Sequence, residues 1–145
     1  MTSHLIIEYY KNLLRTMTVS RYNGKNNLAK PIFMLSILHG IKNESVIDNR
    51  IVLTESLLST YKAFFKEYSQ QSMTSPIYPF YYLKGDGFYH LIDDCSRKSP
   101  SVKYLRENVE SAALDNELWQ LLQNEKARNE IKEAIISYFI RPVKE

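Results

Sequence analysis

The run KPIFMLSILHG, residues 30–40, is the most apolar part of the sequence. Proline suits the first turn of a helix, where the backbone N–H has no acceptor, and glycine suits the end of a helix. We therefore predict a helix over residues 31–40 that is buried on nearly all sides. A run this short cannot cross a bilayer, so it indicates a protein core rather than a membrane span.

Apolar residues at helical spacing predict two further helices, one on each side of this run. The first spans residues 4–17, and its apolar positions are Leu5, Ile6, Tyr9, Leu13, Leu14 and Met17. The second spans residues 55–68, with Thr54 as its N-cap, and would bury Leu57, Leu58, Tyr61, Phe64 and Phe65. Residues 51–53 are predicted to form a short strand before it.

Residues 80–91 are predicted to form a β-hairpin. Pro76 and Pro79 argue against a helix through this part of the chain. The aromatic-rich segments 80–83 and 88–91 flank Lys84-Gly85-Asp86-Gly87, and an Asp-Gly step supplies the positive φ that a tight turn needs. Helices are predicted to resume over 101–139, in the segments 101–107, 115–123 and 125–139. The expected fold is an α+β single domain over residues 1–145, mainly helical with one small aromatic-rich hairpin.

Composition narrows the class of protein. A chain of 145 residues that is 44% hydrophobic can build one packed core. Cys95 is the single cysteine, which excludes an internal disulfide framework. The first residues do not resemble a secretory signal, so we expect a soluble protein of the cytoplasm that does not bind membranes.

Charge is distributed unevenly along the chain. Residues 1–106 carry fourteen basic and eight acidic side chains, a net charge of +6, whereas residues 107–145 carry five basic and eight acidic side chains, a net charge of −3. A basic front of this kind is compatible with an anionic partner such as DNA, and also with an ordinary solvated surface.

No catalytic or metal-binding pattern stands out, so we predict a protein that is not an enzyme and holds no metal or cofactor. His4, His39 and His90 do not lie at ligand spacing from one another. His39 is expected in the core or at a helix end, and either His90 or its neighbour Tyr89 should face outward. Cys95 and the acidic pair Asp93 and Asp94 are read as structural.

Tyrosine is abundant, with eleven in all, and several lie close to Pro79. A Tyr-Pro pair forms a rigid apolar wall with a polar rim, which can cup a ligand atom. The same tyrosines could instead cover a half-exposed sheet, and composition alone leaves both readings open.

Three segments resemble a known family. They are KPIFMLSIL (30–38), SPIYPFYYL (75–83) followed by DGFYHL (86–91), and LDNELWQLL (114–122) followed by Arg128 and Tyr138-Phe139. Together they resemble the sulfur-binding domain that precedes the HNH nuclease domain in type IV and HNH-type restriction endonucleases. Members of that family recognise phosphorothioate-modified DNA. The resemblance covers about residues 9–139 and concerns the sulfur-binding domain without the HNH nuclease domain.

The resemblance implies a set of DNA-binding residues. Tyr78 and Pro79 would form an apolar cup for the sulfur, with Tyr82 also lining it. Lys30 would address the DNA backbone at a helix N-terminus, and Lys103 or Arg106 would do so in the loop after the hairpin, with Arg97 and Lys98 as further contacts. This sequence departs from the family by having Leu28 and Ala29 before the Lys-Pro pair, and by a large residue at Tyr82.

The resulting hypothesis is a non-catalytic domain that binds duplex DNA, including phosphorothioate-modified DNA. The alternative is a protein-interaction module of a defence system. Its acidic last helices or exposed tyrosines would then bind a separate nuclease or regulator.

Overall fold

The computed structural model describes residues 3–22, 24–92 and 111–144. Its helices are α1 (Ser3–Arg15), α2 (Ala29–Lys42), α3 (Glu55–Tyr68), α4 (Ile77–Tyr82), α5 (Asn116–Leu122), α6 (Glu125–Ile135) and α7 (Arg141–Lys144). Its strands are β1 (Arg21–Tyr22), β2 (Lys25–Asn26), β3 (Tyr89–Ile92) and β4 (Ser111–Leu114). The strands form two antiparallel pairs, β1 with β2 and β3 with β4. The predicted class, α+β and mainly helical, is confirmed.

Helix α2 lies at the centre of the core, as its apolar sequence predicts. Eleven of its fourteen residues are buried, and α3, α4 and α6 pack around it. Ser36, its buried polar residue, donates its hydroxyl to the carbonyl of Ile32 at 2.8 Å, so no polar group is left without a partner there. Each fully buried large aliphatic or aromatic side chain stabilises the fold by about 1.5–3 kcal/mol.

The predicted helix over residues 31–40 agrees with α2 to within two residues at each end, because α2 begins at Ala29 and continues to Lys42. Gly40 is required for close packing rather than for termination. A Cβ at this position would lie 2.6 Å from Cγ2 of Val46, since the chain folds back against the helix. The backbone N–H groups of Ser45 and Val46 both donate to the carbonyl of Gly40, at 2.9 and 3.0 Å.

Helix α3 has the predicted bounds. Thr54 caps it, because its hydroxyl oxygen accepts the N–H of Leu57 at 3.2 Å. Leu57, Tyr61 and Phe65 are buried. The two other predicted core positions, Leu58 and Phe64, are half-buried at the margin of the same face.

The predicted hairpin over residues 80–91 is wrong. Residues 77–82 form helix α4, a 3₁₀ turn follows at Leu83–Gly85, and β3 pairs with β4 instead of with residues 80–83. Pro76 is the N-cap of α4 and Pro79 its third residue, where a missing N–H costs no helical hydrogen bond. Gly87 does adopt the expected positive φ, +92°, but it joins a helix to a strand.

Other predictions agree to within a few residues. Helix α1 ends at Arg15 rather than residue 17, and Met17 is nevertheless buried. Ile51 forms a single antiparallel bridge to Ala112, where a three-residue strand was predicted. Helices α5 and α6 match the last two predicted segments, with a π-helical turn over Ile136–Ile140. The predicted helix 101–107 lies outside the described residues. Within the described ranges, every helix is too short or too polar to span a bilayer.

Candidate nucleic-acid interface

A groove of about 460 Å³ lies between α4, the start of α2 and the segment that follows α1. We call it the α2–α4 groove. It is lined by Thr18, Val19, Ser20, Asn27, Ala29, Lys30, Thr74, Tyr78, Pro79 and Tyr82. The structure therefore brings Lys30, which is distant in sequence, together with the Tyr-Pro pair and Tyr82.

Helix α4 supplies an aromatic wall to this groove. Ile77, Phe80 and Tyr81 are buried, and the Phe80 ring meets the Phe33 ring of α2 edge-on at 6.4 Å. The opposite face carries Tyr78 and Tyr82, one helical turn apart. The planes of these two rings lie within 10° of parallel with centroids 6.0 Å apart, and the residues are 52% and 39% exposed. Two large apolar surfaces are thus held open to solvent.

Tyr89, the buried first residue of β3, fixes the position of α4 from behind. The Tyr89 hydroxyl donates to the carbonyl of Phe80 at 2.6 Å, and Tyr89 is fully buried. Burial raises the pKa of Tyr89 well above its ordinary value, so the phenol remains a neutral donor. The backbone of α4 is therefore anchored while its exposed face carries the tyrosines.

Lys30 forms an ion pair at the edge of the groove. Its Nζ lies 2.7 Å from Oδ2 of Asp86, and the two side chains are 15% and 2% exposed. The other carboxylate oxygen, Oδ1, accepts the backbone N–H of Thr18 at 2.8 Å. Asp86 therefore joins three segments: the one after α1, the start of α2 and the turn after α4. The predicted phosphate contact of Lys30 must take this partner into account.

Asn27 and Thr74 connect the base of the groove. Asn27 Nδ2 donates to the Thr74 hydroxyl at 2.9 Å, and its Oδ1 accepts the N–H of Ala29 at 2.8 Å. The Thr74 carbonyl in turn accepts the Tyr61 hydroxyl at 2.7 Å. These bonds hold residues 27–29 against the segment that leads to α4.

Comparison with known proteins identifies the family. Residues 8–145 match the family described as "ScoMcrA-like, DNA sulfur-binding domain". The chain belongs to this family. No curated protein matches the sequence.

Solved structures share the fold of this sulfur-binding domain. One is described as "Sulfur binding domain of SprMcrA complexed with phosphorothioated DNA", with a TM-score of 0.74, 16% identity, and coverage of 96% of this chain and 88% of the other. Another is the "Sulfur binding domain of ScoMcrA complexed with phosphorothioated DNA", with a TM-score of 0.74, 15% identity and coverage of 92% and 89%.

A third is the "Sulfur binding domain and SRA domain of ScoMcrA complexed with phosphorothioated DNA". Its TM-score is 0.66 at 16% identity, and the match covers 90% of this chain and 42% of the other. The sulfur-binding fold thus also occurs within a longer polypeptide that carries another domain. At these identities the likeness concerns the fold.

Some predicted residues of the sulfur-binding domain cannot be placed. Arg97, Lys98, Lys103 and Arg106 lie outside the described residues, as do Asp93, Asp94 and Cys95. Their assignment stays a prediction from the sequence.

The sequence does not indicate several residues that line or adjoin the groove. It predicts Asp86 only as part of a hairpin turn and Asn27 only as part of a loop. The exposed cations Arg21 and Lys25 lie on the short β1–β2 pair, one and two residues from the groove residues Ser20 and Asn27. The available signal is the polar run 21–27, which contains both cations and lies two residues before the Lys-Pro pair.

The histidines lie apart from the groove. His90 is exposed, as the alternation with buried Tyr89 predicts, and its Nε2 lies 2.5 Å from Oδ1 of Asp115. Tyr10 donates to the other oxygen of Asp115 at 2.9 Å, and burial together with this hydrogen bond raises the pKa of Tyr10. His39 is exposed near the end of α2. Among the described residues, no group of three or more His, Cys, Asp or Glu side chains could hold a metal.

Proposed function

We propose that this chain is a non-catalytic module that binds duplex DNA and recognises a phosphorothioate through the α2–α4 groove. The observation that carries the proposal is the convergence of Tyr78, Pro79 and Tyr82 on one apolar groove, in a member of a DNA sulfur-binding family. Relatives of the same fold are described in complex with phosphorothioated DNA, which supports the same ligand here.

The chemistry of the groove favours sulfur over oxygen. A sulfur that replaces a non-bridging phosphate oxygen is larger, more polarisable and less strongly hydrated. Moving it into an apolar groove therefore costs less desolvation free energy than moving an oxygen there. The parallel rings of Tyr78 and Tyr82 offer polarisable surface at the place where such an atom would enter.

Cations around the groove would hold the rest of the duplex. Arg21 and Lys25 are exposed on the β1–β2 pair beside it. We assign backbone contacts to them and, from the sequence, to Arg97, Lys98, Lys103 and Arg106. Phosphate contacts fix register and orientation and release counterions, so they provide affinity that depends on salt but not on the modification.

We assign no cleavage step to this module. The family description is that of a binding domain, and the exposed His90–Asp115 pair lies outside the groove. A nuclease that acts after recognition would reside in another domain or in a separate subunit. Because it would recognise modified DNA, the protein is expected to act in the cytoplasm of a bacterium.

A mobility-shift comparison tests this function. Two duplexes of identical sequence, one carrying a single phosphorothioate and one without it, are titrated with the chain at the same salt concentration. We expect the modified duplex to bind about tenfold more tightly or better, which corresponds to about 1.4 kcal/mol. Negligible, salt-insensitive binding of both duplexes would overturn the proposal.

A further inference from the structure

We propose that Asp86 is a specificity-determining residue that neutralises Lys30, so that the α2–α4 groove rejects an ordinary phosphate oxygen and accepts sulfur. This inference rests on the proposed function. Asp86 does not line the groove itself, but through Lys30 it sets the electrostatic character of the groove.

The geometry of the pair carries the first step. Lys30 Nζ and Asp86 Oδ2 are 2.7 Å apart, and the carboxylate is almost completely buried at 2% exposure. A buried carboxylate at hydrogen-bond distance cancels most of the charge that an ammonium group would otherwise present to a ligand. Lys30 therefore lines the groove as one half of a neutral pair rather than as an exposed cation.

Two other backbone positions at the start of α2, Ala29 and Pro31, also offer no free donor. The N–H of Ala29 is bound by Asn27 Oδ1 at 2.8 Å, and Pro31 has no N–H to offer. The N–H of Thr18, on the opposite wall, is bound by Asp86 itself at 2.8 Å. The end of α2 that borders the groove thus has less capacity for an anionic oxygen than an ordinary helix N-terminus.

This arrangement has a consequence for selectivity. A phosphate oxygen loses strong hydration on entering the groove and needs positive charge or free donors to offset that loss. A sulfur atom loses less hydration and gains dispersion contacts with the tyrosine rings. Entry into a neutral groove therefore costs more free energy for oxygen than for sulfur. The general attraction to DNA comes from cations outside the groove, which contact other phosphates.

The test is Asp86→Asn, measured with the modified and unmodified duplexes over a range of salt concentrations. Asparagine keeps the size of the side chain and an oxygen for the N–H of Thr18, but it removes the charge that masks Lys30. We expect unmodified DNA to bind about fivefold more tightly, with less gain for modified DNA, and the salt slope to steepen by about one. The preference for sulfur then falls.

Glu117→Gln is the matched control. It changes the net charge of the chain by the same amount, but Glu117 is exposed on α5 and lines a different cavity, beside His4. We expect its preference for modified DNA and its salt slope to equal those of the wild type. An equal loss of preference in both variants would overturn the proposal, because overall charge would then explain it.

The double variant Lys30→Met, Asp86→Asn provides a second test that does not depend on the folding of the single variant. It replaces a neutral ion pair by a neutral pair of similar size. We expect the wild-type preference and the wild-type salt slope. A slope lower by about one would mean that Lys30 acts as an unmasked phosphate contact, which would contradict the proposal.

Failure of this inference can be distinguished from failure of the proposed function. If Asp86→Asn weakens both duplexes equally while the fold is retained by circular dichroism, Asp86 has a structural role only, and the wild-type preference for sulfur still stands. If the wild-type chain binds neither duplex, the proposed function and this inference fail together.

Discussion

At the scale of single residues, Tyr78 is the side chain whose removal should affect sulfur recognition most selectively. Tyr78→Ala removes one ring of the parallel pair from the exposed face of α4. We expect modified DNA to bind about tenfold more weakly and unmodified DNA to change little, because the role proposed for this uncharged ring is contact with the sulfur. Equilibrium titration of both duplexes measures this.

Tyr138→Ala is the matched control, since Tyr138 is also 52% exposed but lies on the π-helical turn after α6. It should leave both affinities unchanged. A proportional loss of affinity for both duplexes in Tyr78→Ala would contradict a role in sulfur recognition.

The Lys30–Asp86 pair should also contribute to stability. Lys30→Ala leaves the buried Asp86 carboxylate without its ammonium partner, and breaking a buried pair from one side costs about 3 kcal/mol. Urea denaturation monitored by circular dichroism measures the loss. Lys11→Ala, which removes more exposed pairs with Glu8 at 3.3 Å and Glu130 at 3.8 Å, should cost less than about 1 kcal/mol. Equal losses in the two variants would show that Lys30 does not stabilise a buried charge.

At the scale of secondary-structure elements, Gly40 should be intolerant of alanine although it lies within a helix. Alanine is a better helix former by about 1 kcal/mol, but its Cβ would lie 2.6 Å from Val46 and force the returning chain away. We expect a net loss of about 1 kcal/mol in the free energy of unfolding, measured in urea.

Gly85→Ala provides the comparison for Gly40. A Cβ at Gly85 meets nothing within 4 Å, and the backbone there does not have a positive φ. Stability should be unchanged or rise by about 0.5 kcal/mol, because the unfolded chain loses freedom. A Gly40→Ala protein as stable as Gly85→Ala would contradict the packing role.

Elements with strong local signals could be predicted from the sequence. Helix α3 has a capping threonine and a clear apolar period, and its bounds agree with the prediction. Helix α4 could not be predicted in this way, because its two prolines argue against a helix unless they fall in the first turn. Strand β4, SAAL, lacks the alternation that marks a strand, since three of its four residues are buried. Its pairing with β3 depends on a contact across an intervening segment.

The candidate site, like the fold, could be predicted only in part from the sequence. The aromatic and proline residues of the groove carry a recognisable motif, so Tyr78, Pro79 and Tyr82 could be named from the sequence. The ion pair could not, because Lys30 and Asp86 are 56 positions apart and the Asp-Gly step has a sufficient explanation as a turn. Long-range partners of this kind become visible only in the folded chain.

At the scale of the whole molecule, buried tyrosines should make the fold sensitive to alkali. Burial raises the pKa of Tyr61 and Tyr89 in the folded state. Such groups stabilise the fold fully below the pKa of the unfolded chain, near 10, and this contribution is lost as the pH rises above it. We expect the free energy of unfolding to fall by about 1.4 kcal/mol per buried tyrosine at pH 11.

Urea denaturation at pH 8, 10 and 11 measures this loss. Tyr61→Phe should reduce the pH dependence, because phenylalanine does not ionise, although it also removes the hydrogen bond to Thr74. A free energy of unfolding that stays constant up to pH 11 would contradict the burial of these phenols.

The most direct test of the sulfur site is a map of where the sulfur atom acts on the protein. NMR spectra of the labelled chain are recorded in complex with two duplexes that differ by one sulfur atom. We predict that the chemical-shift differences between the two complexes concentrate in the α2–α4 groove, at residues 18–20, 27–30 and 78–82. Differences concentrated on another surface, such as the cavity beside His4 and Glu117, or no differences at all, would contradict a sulfur site in this groove.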